Sequence, residues 1–365
     1  MSRPRTRILL LGYLPPPWFG PSVTYRALLD SEFGRHFDVT FIDLTVAPRI
    51  DDLERFRLGK LLRLAGILGR EVGALVARRY DFCCGPISVN RNAFIKDAFL
   101  LAIARIFGVP TVLYAHGNNL PDFHDRSAPR MQRFIERSCR RAAGAIVLGE
   151  SLRFNMARWL PPDRIFVVPT GIAPAQSLPP AKKHDGVTVL YLGNLIREKG
   201  VFVLLEAARQ CPDVRFVFAG NWFLAADEAA ASQLAGPNVR FIGPVTGDAK
   251  WQALTDADIL AFPTFYYYET MGLVLLEAMQ VGLPVITTRR ASIPEIIQDG
   301  VNGLLVNEQD AADLAEKIRR LVGDAGLRER LGRAGRERYR SYYTHEQYGR
   351  RMIEVFERLA ARETR

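Results

Sequence analysis

Two carboxylates eight positions apart, Glu269 and Glu277, bound the run Glu269-Thr-Met-Gly-Leu-Val-Leu-Leu-Glu277. Glu269 ends an aromatic loop, Phe265-Tyr-Tyr-Tyr268, and the apolar stretch after it reads as a helix that carries Glu277 about two turns along its length. The backbone N–H groups of Met271, Gly272 and Leu273 then open that helix without intrahelical acceptors, and the positive end of its dipole favours an anion. A diphosphate suits that spot. Ionised carboxylates only accept hydrogen bonds, so acids beside it suit neutral hydroxyls, as an acidic residue holds a ribose in dinucleotide sites. Phosphate with sugar hydroxyls on both sides is the chemistry of a nucleotide sugar.

A second run, Leu192-Gly193-Asn-Leu-Ile-Arg197-Glu-Lys199-Gly200, follows a strand pattern and leads into a helix. Gly193 lets the backbone turn closely, and Lys199 can set a compact positive charge on a phosphate oxygen, with Arg197 as a second cation. Tyr114-Ala-His116-Gly117 closes another strand, and ligands of open parallel sheets bind beyond the carboxyl ends of strands. Between the first strand and first helix, Gly20 is followed by Pro21, which has no N–H to offer.

The acidic run, followed by Gly282-Leu-Pro284-Val-Ile and by Ile293-Pro-Glu295-Ile-Ile-Gln-Asp-Gly300-Val-Asn-Gly303, resembles the family-4 group of retaining glycosyltransferases with the GT-B fold. The resemblance covers nearly the whole chain and is most specific between Leu190 and Val306. It implies that Glu269 holds the donor sugar, Glu277 the ribose, and Lys199, Arg197, Gly193 and the N–H groups of Met271, Gly272 and Leu273 the diphosphate. It further implies that His116 contacts the transferred sugar, that Gly20 lies beside the donor phosphates or the acceptor, and that the nucleobase packs at Phe241-Ile-Gly243-Pro-Val245. Three departures stand out: Asn194 where the family commonly has arginine, Pro21 in place of a second glycine, and Thr170 and Ala173 in the segment closing the first half. The implied reaction moves a sugar with retention from a UDP- or GDP-linked donor to a glycan or lipid-linked acceptor, in cell-surface polysaccharide or glycolipid biosynthesis. It implies no metal, and no cofactor beyond the nucleotide diphosphate sugar as co-substrate.

Strands positioning these groups are read at Arg7–Tyr13, Asp38–Leu44, Phe82–Val89, Thr111–Ala115 and Ala145–Leu148, with amphipathic helices between them. After a Pro-rich stretch the alternation restarts, with strands at Val187–Leu192, Val214–Ala219, Val239–Ile242, Ile259–Phe262, Pro284–Thr287 and Gly303–Val306. Helices are read at about 200–210, 248–256, 271–281 and 310–322. Such alternation predicts an α/β protein with two Rossmann-like parallel-sheet domains facing a cleft. The expected division is 1–172 for acceptor binding, a linker at 173–186, 187–340 for the nucleotide sugar, and a C-terminal helix at 341–365 crossing back.

The chain has 365 residues, enough for two ordinary cores, and its 48% hydrophobic and 24% charged residues exclude a disordered class. No stretch is long and apolar enough for a signal core or a spanning helix, so a cytoplasmic protein is expected. Cys83, Cys84, Cys139 and Cys211 lack metal-site spacing and read as buried thiols. Charge is uneven: residues 1–172 hold 25 Lys+Arg against 15 Asp+Glu, the entire net charge of +10. Between Leu53 and Arg79, Leu53, Phe56, Leu61, Leu64, Leu68, Leu75 and Val76 alternate with Arg55, Arg57, Lys60, Arg63, Arg70, Arg78 and Arg79. That pattern suits either a core-facing helix or one lying on the anionic inner face of a membrane. Two other readings stand beside transfer: a GT-B nucleotide-sugar epimerase, and a nucleic-acid binder motivated by charge. No basic-aromatic platform or recognition-helix motif supports the last, and no nucleic acid is expected.

Overall fold

A computed structural model describes residues 5–45, 58–181 and 185–363. They form two compact units, Met1–Ala173 with His345–Arg365, and Pro174–Thr344.

In chain order the first unit comprises β1 (Arg7–Gly12), α1 (Gly20–Asp30), α2 (Glu32–His36), β2 (Asp38–Asp43), α3 (Leu58–Ala77), β3 (Phe82–Pro86), α4 (Arg91–Ile106), β4 (Thr111–Ala115), α5 (Leu120–Asp125), α6 (Pro129–Arg140), β5 (Gly144–Val147), α7 (Phe154–Ala157) and β6 (Ile165–Val167). Its six strands pair in the order β2-β1-β3-β4-β5-β6, every pairing parallel. All residues of β3, β4 and β5 are buried, as expected of strands covered by helices on both faces. The second unit comprises β7 (Thr188–Leu192), α8 (Val201–Arg209), β8 (Arg215–Ala219), α9 (Ala225–Leu234), β9 (Val239–Gly243), α10 (Gly247–Thr255), β10 (Ile259–Phe262), α11 (Leu273–Val281), β11 (Val285–Thr288), α12 (Ile293–Ile296), β12 (Leu304–Val306), α13 (Ala311–Gly323) and α14 (Ala325–Arg338). Its sheet is also parallel, in the order β12-β11-β10-β7-β8-β9.

The last helix, α15 (His345–Glu363), belongs to the first unit. Phe356 is fully buried among Phe33, Phe37 and Phe82, with ring centroids 5.8, 5.9 and 5.7 Å away. Burying one such ring contributes about 1.5–3 kcal/mol. The buried hydroxyls of Tyr348 and Tyr114 lie 2.5 Å apart, and Gly349 passes so close to Ser31 that a Cβ there would overlap its hydroxyl. The aromatic face read along the C-terminal tail is divided. Tyr339 and Tyr343 bind Gln280 and the Glu295 carbonyl in the second unit, while Tyr348, Met352 and Phe356 are core residues of α15. The passage between units falls at Thr344–His345 rather than 340/341.

Two elements differ from the sequence reading in ways that bear on the site. α11 starts at Leu273, because Gly272 takes a left-handed conformation (φ 67°) and serves as its N-cap. Met271 and Gly272 therefore precede the helix, and Glu277 is its fifth residue, just past the first turn. The strand read to Val89 stops at Pro86, freeing Ser88 to donate to Asp97 Oδ2 (2.6 Å). Of the basic amphipathic segment, Leu53, Arg55, Phe56 and Arg57 lie outside the described residues; the rest, except Arg78 and Arg79, which follow its end, falls in α3, where Ile67, Glu71 and Leu75 face the core.

Candidate active site

In the second unit the chain runs from β7 towards β8 and β9 on one side and from β10 towards β11 and β12 on the other. Loops leaving β7 and β10 thus diverge at a topological switch point, where parallel sheets open a ligand crevice. The β7 loop is held on both sides. Gly193 donates to the Ala219 carbonyl (3.0 Å), Leu195 donates to that of Asn221 (2.7 Å), and Phe265 donates across to the Glu198 carbonyl (2.8 Å). Gly200 sits at φ 86°, where a Cβ would collide with the Pro263 carbonyl. Glycine is required there by conformation and by space.

Lys199 and Glu269 meet across this switch point. Lys199 Nζ is 3.5 Å from Glu269 Oε2, with the lysine side chain 22% and the glutamate 10% exposed. That separation exceeds the roughly 2.7–2.9 Å of a charge-assisted hydrogen bond, so the pair is attracted without being locked. The rings of Phe262 and Tyr266 flank the ammonium at 5.7 and 5.5 Å. Glu269 is positioned by a tight turn, its N–H donating to the Tyr266 carbonyl (3.0 Å). Ser292 fastens the next residue, donating from its hydroxyl to the Thr270 carbonyl (2.6 Å). Three residues on, α11 begins with the N–H groups of Leu273 and Val274, which by position lack intrahelical acceptors. A cation on the β7 loop thus meets a carboxylate on the β10 loop, which leads into a helix N-terminus.

Glu277 is occupied by a residue the sequence reading passed over. Lys250 Nζ on α10 lies 2.6 Å from Glu277 Oε1. Val245, half-buried, lies in the loop that leads from β9 into α10. Arg197 goes elsewhere: its guanidinium pairs with Asp227 (2.7 Å) and stacks 3.8 Å over the Phe202 ring. The structure does not bring it to the Lys199–Glu269 pair.

In the first unit the switch point lies between β1 and β3, and its side chains neutralise one another. Lys96 is 2.7 Å from Asp97, which is fully buried, and donates to the Tyr13 hydroxyl (2.9 Å). Burial pushes the Asp97 carboxyl above its ordinary value although Lys96 draws it down. His116, beyond β4, packs tilted against Tyr114 at 3.9 Å, and its buried Nε2 has no hydrogen-bond partner. Burial lowers its pKa to about 3, so the ring is neutral at physiological pH. Gly20 is the first residue of α1, with its carbonyl accepting from Thr24 Oγ1 (2.7 Å). Phe19 packs edge-on against Tyr13 (5.5 Å), whereas Trp18 is exposed.

No local pattern distinguished Lys96, Asp97 or Lys250; each gains its meaning from a neighbour brought by the fold. Among the described residues no cluster of three or more His, Cys, Asp or Glu could hold a metal, and the four cysteines are buried and free.

The glycosyl transferases group 1 model matches residues 175–338, and the glycosyltransferase family 4 model matches residues 44–176. The chain is similar to the sulfoquinovosyl transferase SQD2 of Arabidopsis thaliana, 35% identical over 42% of this chain and 30% of that protein. In that comparison the matched segment spans less than a third of the relative's length. It is also similar to an alpha-maltose-1-phosphate synthase of Mycolicibacterium smegmatis, 28% identical over 70% of this chain and 75% of the relative. Among solved structures, Alr3699/HepE of Anabaena in complex with UDP-glucose superposes with a TM-score of 0.70 at 17% identity, covering 96% of this chain and 99% of that one. With both sheets parallel and family models matching each half, the chain belongs to the group 1 glycosyltransferases of GT-B fold.

Proposed function

We propose that this chain transfers a sugar with retention, and without a metal, from a UDP- or GDP-linked donor to a glycan or lipid-linked acceptor. The observation that carries the reading is the Lys199–Glu269 pair beside the N-terminus of α11, at the switch point of the second sheet. The UDP-glucose complex of HepE favours UDP. In this reading Lys199 and the first N–H groups of α11 meet the charge that grows on the diphosphate as the glycosyl–oxygen bond breaks. Glu269 accepts from hydroxyls of the donor sugar, and Glu277 accepts from the ribose. The acceptor oxygen bonds to the same face of the anomeric carbon, and its proton passes to the departing phosphate oxygen. His116 is neutral, so it offers a sugar hydroxyl one donor and one acceptor rather than a charge.

Calorimetry against UDP, GDP and their sugars, followed by nuclear magnetic resonance of the product in the presence of a chelator, tests this. The expected result is tight binding of one nucleoside diphosphate and a product whose anomeric configuration matches the donor. Absence of any nucleoside diphosphate binding, inversion, or a strict metal requirement would overturn it. Conversion of the donor alone to an epimer would favour the epimerase reading.

The proposal includes an acceptor met at an anionic membrane. The β2-to-β3 and β3-to-β4 connections run in one direction across the sheet, which places α3 and α4 on the same face. Away from the core, α3 exposes Leu62, Val72 and Val76, and α4 exposes Ile95, Phe99 and Ile106 at helical spacing. Exposed Arg63, Arg70, Arg79 and Arg91 accompany them, in the half of the chain that carries the whole charge excess. Apolar side chains with arginines nearby suit an anionic bilayer. Among the described residues no helix is long and apolar enough to cross one. Flotation should show binding to vesicles containing phosphatidylglycerol and little to phosphatidylcholine alone, lost in Phe99→Glu. Equal binding to both vesicles, or a dimer dissociated by Phe99→Glu, would overturn it.

A further inference from the structure

The ribose-binding carboxylate proposed above does not have both of its oxygens open. Glu277 Oε1 is held at 2.6 Å by the ammonium of Lys250, with the two side chains 16% and 26% exposed. Their elements pack side by side: Lys250 is the fourth residue of α10 and Glu277 the fifth of α11. The ring of Trp251 lies 4.9 Å from the same ammonium. An ion pair this short and partly sheltered keeps its geometry better than an exposed pair of long side chains.

A carboxylate with two open oxygens accepts from both hydroxyls of a vicinal diol. Here one oxygen is already engaged, while an ammonium carries three N–H groups and spends one on Oε1. The pair thus sets N–H donors of the ammonium directly beside the acceptor oxygens of Glu277. A nucleotide ribose presents two neighbouring hydroxyls, each able to donate and to accept. One can donate to Glu277 Oε2 while the oxygen of its neighbour accepts from Lys250.

We infer that Lys250 is a specificity-determining residue, which together with Glu277 recognises the ribose diol of the donor nucleotide as one donor–acceptor unit. The inference rests on the donor-site reading and deepens it. Lys250 acts on how the nucleotide is held and takes no part in bond cleavage.

Two UDP analogues test it, because the effect should depend on the hydroxyls and not on the base or phosphates. By calorimetry, Lys250→Met should weaken UDP binding about tenfold, the worth of one charge-assisted hydrogen bond, and 2′,3′-dideoxy-UDP binding less than about twofold. GDP and its dideoxy analogue replace them if the wild type selects guanine. In steady-state kinetics the loss should fall on the donor KM rather than on kcat, with partial recovery in Lys250→Arg. Equal weakening for the two analogues would place Lys250 on the base or the diphosphate and overturn the inference, as would no weakening at all. Thermal melting distinguishes a misfolded variant, and Lys250→Gln, which keeps a donor without the charge, then serves in its place with the same expected selectivity. Failure of the wild type to bind either nucleoside diphosphate would instead overturn the donor-site reading itself, and this inference with it.

Discussion

Both six-stranded sheets are parallel with one switch point each, and they differ in strand order and in how they treat charge at that point. In the second unit, half-buried Lys199 and buried Glu269 face each other at 3.5 Å beside a helix N-terminus. In the first, Lys96 lies 2.7 Å from fully buried Asp97, and Ser88 and Tyr13 complete the network. The neighbouring His116 is kept neutral by burial. A loose pair can part around a charged ligand, whereas a tight buried one resists because separating it strands a desolvated charge. Parallel sheets thus carry a loosely paired edge in one unit and an edge of compensated, hydrogen-bonding groups in the other.

Substitutions can break this contrast, and the largest effect is expected at Glu269. Glu269→Ala should lower kcat by at least about 100-fold with the melting temperature nearly unchanged, because its ammonium partner stands off at 3.5 Å and the loop carboxylate contributes more to the transition state than to folding. Wild-type turnover in that variant would remove the centre of the proposal.

Glu71 tests the opposite case, a charge buried without a partner. It is fully buried in α3, neither carboxylate oxygen has a hydrogen bond, and burial pushes its pKa from 4.5 up to about 8. The folded protein therefore binds a proton here more tightly than the unfolded chain does. Stability is greatest below pH 4.5 as far as this group is concerned, falls as pH rises from 4.5 to 8, and then levels. Glu71→Gln should flatten that decline and stabilise the protein at pH 8 by on the order of 2 kcal/mol in denaturant titrations. An unchanged pH profile would show that the carboxyl has found water or a partner.

His116→Ala should cost roughly tenfold in kcat/KM, the worth of one hydrogen bond to substrate. Its pH–rate profile should keep every inflection seen between pH 5 and 8, since the wild-type imidazole titrates at about 3. Disappearance of an inflection near neutrality would mean that His116 carries a working proton. The smallest effect belongs to Arg197. Arg197→Ala should change donor KM less than about threefold, because its guanidinium is committed to Asp227 and Phe202. A tenfold rise would show that it swings to the diphosphate when ligand binds.

Local pattern was enough to read both sheets, because parallel strands buried on both faces leave dense apolar runs such as Thr-Val-Leu-Tyr-Leu at β7. It missed β6, three residues running into a proline segment, and α9, whose alanine-rich sequence has helical propensity but little apolar periodicity. The start of α11 was read too early because Gly272 continues an apolar run while its backbone turns left-handed to cap the helix. Within the site, Glu269, Glu277 and Lys199 were legible from motif context. Lys250 was not: its partner lies 27 positions away on another helix, and nothing in the residues around it marks the pairing. Arg197 shows the converse, a cation in the right stretch of sequence drawn aside by an acid on α9.

The location of α15 sets an order of birth for the two units. Every residue of the second is synthesised before the first receives Tyr348 and Phe356, the side chains that meet Tyr114 and cover Phe33, Phe37 and Phe82. A nascent chain therefore holds the whole second unit while its older half still shows an uncovered aromatic face, the kind of surface that chaperones bind and that aggregates when synthesis stalls. Although it begins first, the amino-terminal lobe is finished last.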